Sequence, residues 1–236
     1  MKSKTIALVT GANKGIGKAI VKGLANQGIT VLLGSRNSER GLNAVADLKN
    51  DGDIYFLEID VTNPTSIEAA YQKIESTYGH LDILVNNAGV AASRSKPGEA
   101  DVIEFKKVYE TNVFGVVAVI NSMLPLIRKS SSGRIVNVSS LRGSLGDEGA
   151  FIGQPSISYS SSKTALNALT VHYAKELASV GIKVNSAAPG HVATDFNDFK
   201  GKRTPEEGAA IAIHLATLDQ SGPTGGFFDD NGNIKW

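Results

Sequence analysis

Tyr159 and Lys163 stand four residues apart in the stretch YSSSK, with only serines between them. On a helix, residues at i and i+4 share one face. A free phenol has a pKa of about 10, too high for efficient proton exchange near neutrality. A nearby ammonium stabilises the phenolate and lowers that value. The two side chains are therefore a candidate acid and the charge that tunes it. The same spacing also suits a solvated helix face, and taken alone the pair favours that plainer reading.

A second candidate site lies near the N-terminus, in Thr10-Gly11-Ala12-Asn13-Lys14-Gly15-Ile16-Gly17. Gly11, Gly15 and Gly17 lack side chains where the chain must turn sharply and where a pyrophosphate would approach the backbone. A helix starting here would add free N–H groups and the positive end of its dipole. The spacing is G-x-x-x-G-x-G, not the commoner G-x-G-x-x-G. A tight turn without a ligand is the alternative. The next expected strand ends Leu33-Gly34-Ser35-Arg36-Asn37, with no carboxylate to bind a ribose 2′-hydroxyl and select NAD. Arg36 instead offers a planar fork for a 2′-phosphate, and Lys14 can reach the same group. Two cations and a missing acid point to NADP(H); the competing reading is two solvated surface charges. Asp60-Val61, after the third strand, would lie near the adenine.

These residues need a scaffold. Short apolar runs at 5–10, 30–35, 54–59, 82–87, 134–140 and 182–188 read as strands, several without strict alternation, as in strands covered on both faces. Between them, helix spacing runs over 15–27, 38–50, 65–78, 101–129 and 158–179. Thr204 and Pro205 open a further helix to about 217 as N-cap and first residue. Pro125 is expected to kink or shorten the helix that holds it. Repeated strand–helix–strand order predicts an α/β fold: a single-domain, Rossmann-type, doubly wound parallel sheet of about seven strands with helices on both faces. No linker or composition shift divides residues 1–236. Two loops, 89–100 and 141–157, are rich in turn formers, and loops this long are more often functional than ornamental.

Composition narrows the function classes. With 24 basic and 23 acidic residues, the chain carries no basic run that would favour nucleic acid or an anionic membrane. The absence of cysteine removes disulfides, thiolate catalysis and Cys-ligated metals, and no metal site is expected. The opening apolar run IALV is too short for a signal peptide, and nothing approaches the length of a membrane span. A cytoplasmic location is the expectation.

The motifs TGANKGIG (10–17), NNAG (86–89), Asn112, GRIVNVSS (133–140), YSSSK (159–163) and PG (189–190) occur in register along the chain. Together they resemble a classical short-chain dehydrogenase/reductase, and the likeness covers almost the whole chain. The wording NKGIG and the closing TGGFFDDNG resemble the carbonyl-reductase branch. The resemblance implies that Tyr159 gives a proton to a developing alkoxide while hydride leaves a nicotinamide. It implies that Lys163 tunes Tyr159 and donates to the nicotinamide ribose. Ser140 matches the hydroxyl donor to the substrate carbonyl, and Ser139, on the opposite face of its strand, would be structural unless a bulge exchanges them. Asn112 matches the residue that holds a water in a proton relay; a polar residue bonded to backbone is the alternative.

Asn87, Ala88 and Gly89 let the cofactor lie close to the backbone, with Asn87 bracing neighbouring loops. Pro189 and Gly190 close the sixth strand, and Val192 and Thr194 resemble the contacts to the nicotinamide carboxamide. His191 is not needed as a base, because Tyr159 fills that role; His172 and Asp82 read as structural or surface residues. Loop 141–157 is longer than in the simplest relatives. Its Asp147, Glu148, Phe151 and Gln154 are expected to line the substrate wall. Loop 191–204, with Phe196, Phe199 and Lys200, is expected to form a lid. Both loops also suit plain surface connections.

The leading expectation is an NADPH-dependent carbonyl reductase acting on small-molecule carbonyl or alcohol substrates, with a homodimer or homotetramer implied by the resemblance. A non-catalytic NADP(H)-binding sensor and a carrier-bound 3-oxoacyl reductase are the alternatives.

Overall fold

The computed structural model describes residues 4–91 and 96–236, so part of the turn-rich loop 89–100 lies outside the described residues. Eight strands form one sheet: β1 (Ile6–Val9), β2 (Thr30–Ser35), β3 (Ile54–Glu58), β4 (Ile83–Asn86), β5 (Arg134–Val138), β6 (Lys183–Ala187), β7 (Phe227–Asp229) and β8 (Gly232–Asn233). Their order is β3-β2-β1-β4-β5-β6-β7-β8. Every neighbouring pair is parallel except β7 and β8. The expected sheet is present, with one more strand than the sequence suggests. β8 is two residues long and exposed, too short to carry a hydrophobic period.

Seven α-helices cover both faces: α1 (Gly15–Ala25), α2 (Ser38–Asp47), α3 (Pro64–Tyr78), α4 (Val102–Tyr109), α5 (Gly115–Ile127), α6 (Ile157–Leu177) and α7 (Pro205–Ala216). Successive β1 side chains go to opposite layers. Ala7 and Val9 join a core with α1, α2 and α7, whereas Ile6 and Leu8 join one with α3, α5 and α6. That double burial explains why the strand reads as an unbroken apolar run. Local chemistry sets the helix starts. Asn63 accepts from the N–H groups of Thr65 and Ser66, with Pro64 next. Thr204 and Glu207 form a reciprocal capping box ahead of α7.

Two sequence expectations about the 101–129 segment need correcting. Pro125 lies inside α5 and does not cut it at that point; the helix runs on to Ile127. The irregularity is instead a π turn at Glu110–Phe114 that joins α4 to α5. Val102–Ile127 is thus a continuous helix of 26 residues, long and apolar enough by composition to cross a membrane, with half of its most apolar window buried inside the fold. The expectation that nothing approaches the length of a membrane span therefore does not hold by length and composition.

A buried polar network fixes α6 against the strand ends. Asn86 donates to Asn137 at 2.9 Å, and Asn137 donates to the Thr170 hydroxyl at 2.9 Å. The Thr170 and Ser186 hydroxyls share a hydrogen bond of 2.8 Å. Ser139 donates to Asn167 at 2.7 Å, and Asn167 donates to the Gly143 carbonyl at 3.3 Å. Gly143 is where the helix comes closest. A Cβ there would stand 2.7 Å from the carbonyl carbon of Lys163. Backbone cannot yield as a flexible side chain does, so Gly143→Ala is expected to push α6 outward at a cost of about 1–3 kcal/mol. Chemical denaturation checks this; an unchanged unfolding midpoint would show that the contact is slack.

Candidate active site

The glycine loop leaves β1 and enters α1 through two left-handed residues, Gly11 at φ 61° and Gly15 at φ 53°. A Cβ on Gly11 would lie 2.7 Å from the Ala88 Cα, and one on Gly17 would lie 2.4 Å from the Asn87 amide nitrogen. The loop after β4 therefore packs directly on the glycine loop. Asn87 braces the two, donating to the carbonyls of Thr10 at 2.9 Å and Gly11 at 3.0 Å. Lys14 is the N-cap of α1 and provides no side-chain cap. The first N–H groups of the helix thus face the adjoining cavity without a capping side chain.

That cavity has a volume of about 1090 Å³ and runs along the C-terminal strand ends, where β1 and β4 start crossovers in opposite directions. Of the residues the sequence singles out, Gly11, Asn13, Lys14, Gly15, Ile16 and Gly17 line its first part. Arg36, Asp60, Val61, Asn87, Ala88 and Gly89 continue the wall, followed by Ser140, Tyr159, Pro189, Gly190, Val192 and Thr194. Arg36 is exposed, and its guanidinium has no partner among the described residues. Asp60 is held locally, accepting from the Thr62 N–H at 2.9 Å and hydroxyl at 2.8 Å.

Lys163 and Asn112 do not line the cavity but lie directly behind it. A Cβ on Gly89 would be 3.4 Å from the Asn112 amide oxygen and 3.7 Å from the Lys163 Nζ. Both Asn112 amide atoms are engaged. The oxygen accepts from the Val90 N–H at 2.9 Å, and the nitrogen donates to the Val90 carbonyl at 2.9 Å and the Ser162 hydroxyl at 3.0 Å. Its side chain therefore braces the loop after β4 against α6. The π turn that presents it carries no signal of its own in the sequence.

Tyr159 stands in the first turn of α6, its ring 5.6 Å from that of Phe196 at an interplanar angle of 59°. Burial pushes its phenol above the usual value; the neighbouring Ser140 hydroxyl and the Arg142 charge oppose that rise. Lys163 does not contribute to the balance as the sequence suggests. Its Nζ is 5.8 Å from the centre of the Tyr159 ring and donates to the Val138 carbonyl at 2.8 Å. Burial lowers the Lys163 amine to about 8. Near neutrality the phenol is protonated, and the amine behind it titrates within reach of neutral pH.

Ser139 and Ser140 both line the cavity but differ in their partners. Ser139 is buried on Asn167, and Ser140 faces the cavity and accepts from the Arg142 N–H at 3.3 Å. Loop 141–157 forms part of the wall, through Gln154, Ile152 and Gly153. Asp147, Glu148 and Phe151, expected there, are not among the lining residues. Asp147 caps the short turn that follows it, accepting from the Gly149 N–H, and Phe151 is turned to solvent. Arg142 was not expected and lines the same wall. It donates to the Gln154 carbonyl at 2.8 Å and the Ile152 carbonyl at 3.4 Å, tying the loop to the end of β5. Phe196 and Lys200 line the opposite side, whereas Phe199 is exposed at φ 57°. His191 also lines the cavity, His172 is exposed on α6, and Asp82 accepts from the Ile6 N–H at 2.8 Å as a structural residue.

Known proteins are similar to this chain in sequence and fold. A family model described as short chain dehydrogenase matches residues 5–205. Short-chain dehydrogenase/reductase 1 of Saponaria officinalis is 37% identical across 98% of this chain and 96% of the relative. Salutaridine reductase of Papaver bracteatum is 36% identical across 94% of this chain and 93% of the relative. The solved Pseudomonas aeruginosa RhlG/NADP active-site complex matches with a TM-score of 0.84 and 30% identity, covering 97% of this chain and 95% of that one.

The buried amine leads to a stability prediction. The amine titrates at about 8 when folded and near the ordinary lysine value of 10.5 when unfolded. Below pH 8 both states hold the proton, and only the folded state bears the cost of burying the charge. Between the two values the unfolded chain binds more protons, so stability rises with pH. Lys163→Met has no such charge. Its stability relative to the parent chain is expected to be greatest below pH 8 and to decline toward pH 10.5. Thermal melts at both ends of that window check this, and a difference that does not change with pH would contradict it.

Proposed function

Because the chain belongs to the short-chain dehydrogenase/reductase family, we propose that it is an NADPH-dependent oxidoreductase that reduces ketones and aldehydes to alcohols. One observation carries this reading. A single cavity joins a glycine cradle and a free arginine at one end to a protonated phenol backed by a buried amine at the other.

The residues fit the dinucleotide. A Cβ at Gly11 or Gly17 would strike the backbone or amide groups that pack there, so the glycines keep the cradle shallow and the N–H groups of α1 accessible. Arg36 at the end of β2 is suited to a 2′-phosphate, and no carboxylate stands at that strand end to prefer a bare ribose. Val192 and Thr194 line the stretch between the glycine loop and Tyr159. When bound, the nicotinamide supplies hydride.

The chain's own groups handle the proton and the developing charge. Ser140 offers its hydroxyl to the substrate carbonyl oxygen. As that oxygen becomes an alkoxide, Tyr159 gives it the phenolic proton, and the alcohol is complete. The phenolate left behind needs a counter-charge: the Arg142 charge already opposes burial at the phenol, and the Lys163 amine stands behind the wall, 5.8 Å from the centre of the ring. Solvent then returns a proton to Tyr159. Burial that keeps the phenol protonated favours reduction, since reduction starts from that form. Asn112 holds the loop after β4 and Ser162 in place, keeping Lys163 and Gly89 in register.

Two substitutions test the reading. Tyr159→Phe is expected to lower turnover by about 10²-fold or more while NADPH affinity stays within about twofold. NADPH consumption with a panel of ketones, alongside a fluorescence titration, separates the two; a variant that keeps most of its rate would remove Tyr159 as the acid. Arg36→Asp is expected to weaken NADPH relative to NADH by roughly tenfold. An unchanged preference would place the phosphate contact elsewhere. A parent chain that binds NADPH but consumes none with any carbonyl would favour a binding protein over an enzyme.

A further inference from the structure

Lys14 in the glycine loop is paired with Asp195, a residue 181 positions away in the chain. Both line the same cavity. The ion pair therefore joins the start of α1 to the segment that follows Thr194. The two segments already touch: a Cβ on Gly15 would be 3.2 Å from the Thr194 methyl carbon.

Asp195 is held in a firm local frame. It opens a short turn, Asp195–Asn197, in which Thr194 and Asn197 cap each other. Asn197 also donates to the Val192 carbonyl at 2.9 Å. Among the described residues, Lys14 is the sole partner of the Asp195 carboxylate, and Asp195 the sole partner of the Lys14 ammonium. The other carboxylates of the cavity are engaged elsewhere, Asp60 by Thr62 and Asp198 by Lys200. Asp195 is thus the one acidic group directed at the glycine loop.

A phosphate approaching the N-terminus of α1 meets this arrangement. It is attracted by the free N–H groups and by Lys14, and repelled by Asp195. Both partners of the pair are about half exposed, and such pairs are weak. We propose that Asp195 determines cofactor affinity by competing with a dinucleotide phosphate for Lys14. The carboxylate holds the lysine until a phosphate displaces it, and recaptures the lysine as the cofactor leaves. This rests on the reading of the groove as an NADP(H) site. Two neighbours of the turn, Asp198 at φ 54° and Phe199 at φ 57°, hold backbone angles unfavourable for side chains with a Cβ.

The test is a set of dissociation constants for NADPH and NADH, measured by fluorescence titration on the parent chain, Asp195→Asn, Lys14→Gln and the double variant. Asp195→Asn keeps the shape of the side chain and removes its charge; Asp195→Ser serves if the first variant folds poorly. The expected result is NADPH binding about two- to fivefold tighter in Asp195→Asn, a gain that shrinks at high salt and disappears in the Lys14→Gln background. A larger gain for NADPH than for NADH assigns Lys14 to the 2′-phosphate, and equal gains assign it to the pyrophosphate; both support the competition. Unchanged or weaker binding in Asp195→Asn overturns the proposal and makes the pair a clamp. So does a gain that persists without Lys14. Parent protein that binds neither dinucleotide removes the cofactor reading itself, and with it this proposal.

Discussion

The structure depends on placing an ammonium where water cannot reach it. Lys163 is only 4% exposed, and among the described residues its amine donates to the Val138 carbonyl. Burial opposes its charge and lowers the amine to about 8, so the protonated form at neutrality is held at a cost. The helix that carries it must therefore be held rigidly. Gly143 lets α6 approach to van der Waals contact, Asn167 ties the helix to Ser139 and the Gly143 carbonyl, and Asn112 bonds Ser162 from the next layer. Each of these contacts serves the position of one amine and of the phenol one turn before it.

The same economy of space governs the other half of the cavity. The strand order reverses between β1 and β4, and the crevice that opens there is walled by the loops after both strands. Those loops pack so closely that Gly11 and Gly17 have no room for a methyl group in front of Ala88 and Asn87, while one on Gly89 would just touch Asn112 and Lys163. Small residues in this region are thus a steric requirement of packing the loops after β1 and β4 against each other. The glycine loop and the Tyr159 helix are separate in sequence but share a wall.

Much of this was legible in the sequence, for physical reasons. β1 and its neighbours are buried on both faces and so read as unbroken apolar runs; α7 announces itself through Thr204 and Pro205. The glycine loop, Tyr159 and Ser140 stood out because the chemistry proposed for them depends on residue type at short spacing, and the fold brings them to one cavity. What was missed depends on distance in three dimensions. No local pattern links Lys14 to Asp195 or shows that Arg142 ties down the loop after β5. The π turn arises from a register shift within a helix whose sequence stays helical throughout. Lys163 was expected beside the phenolic oxygen because i and i+4 share a face, yet its long side chain turns instead to the Val138 carbonyl.

The central claim is that the cavity brings a hydride donor and a carbonyl together in front of Tyr159. Label transfer tests it most directly. NADPH carrying deuterium on one face of the nicotinamide C4 would be incubated with the purified protein and a ketone, and the alcohol examined by mass spectrometry and NMR. The account predicts deuterium on the carbinol carbon from one C4 face and none from the other. Alcohol formed without the label from either face, or no alcohol from any ketone despite bound NADPH, would contradict it.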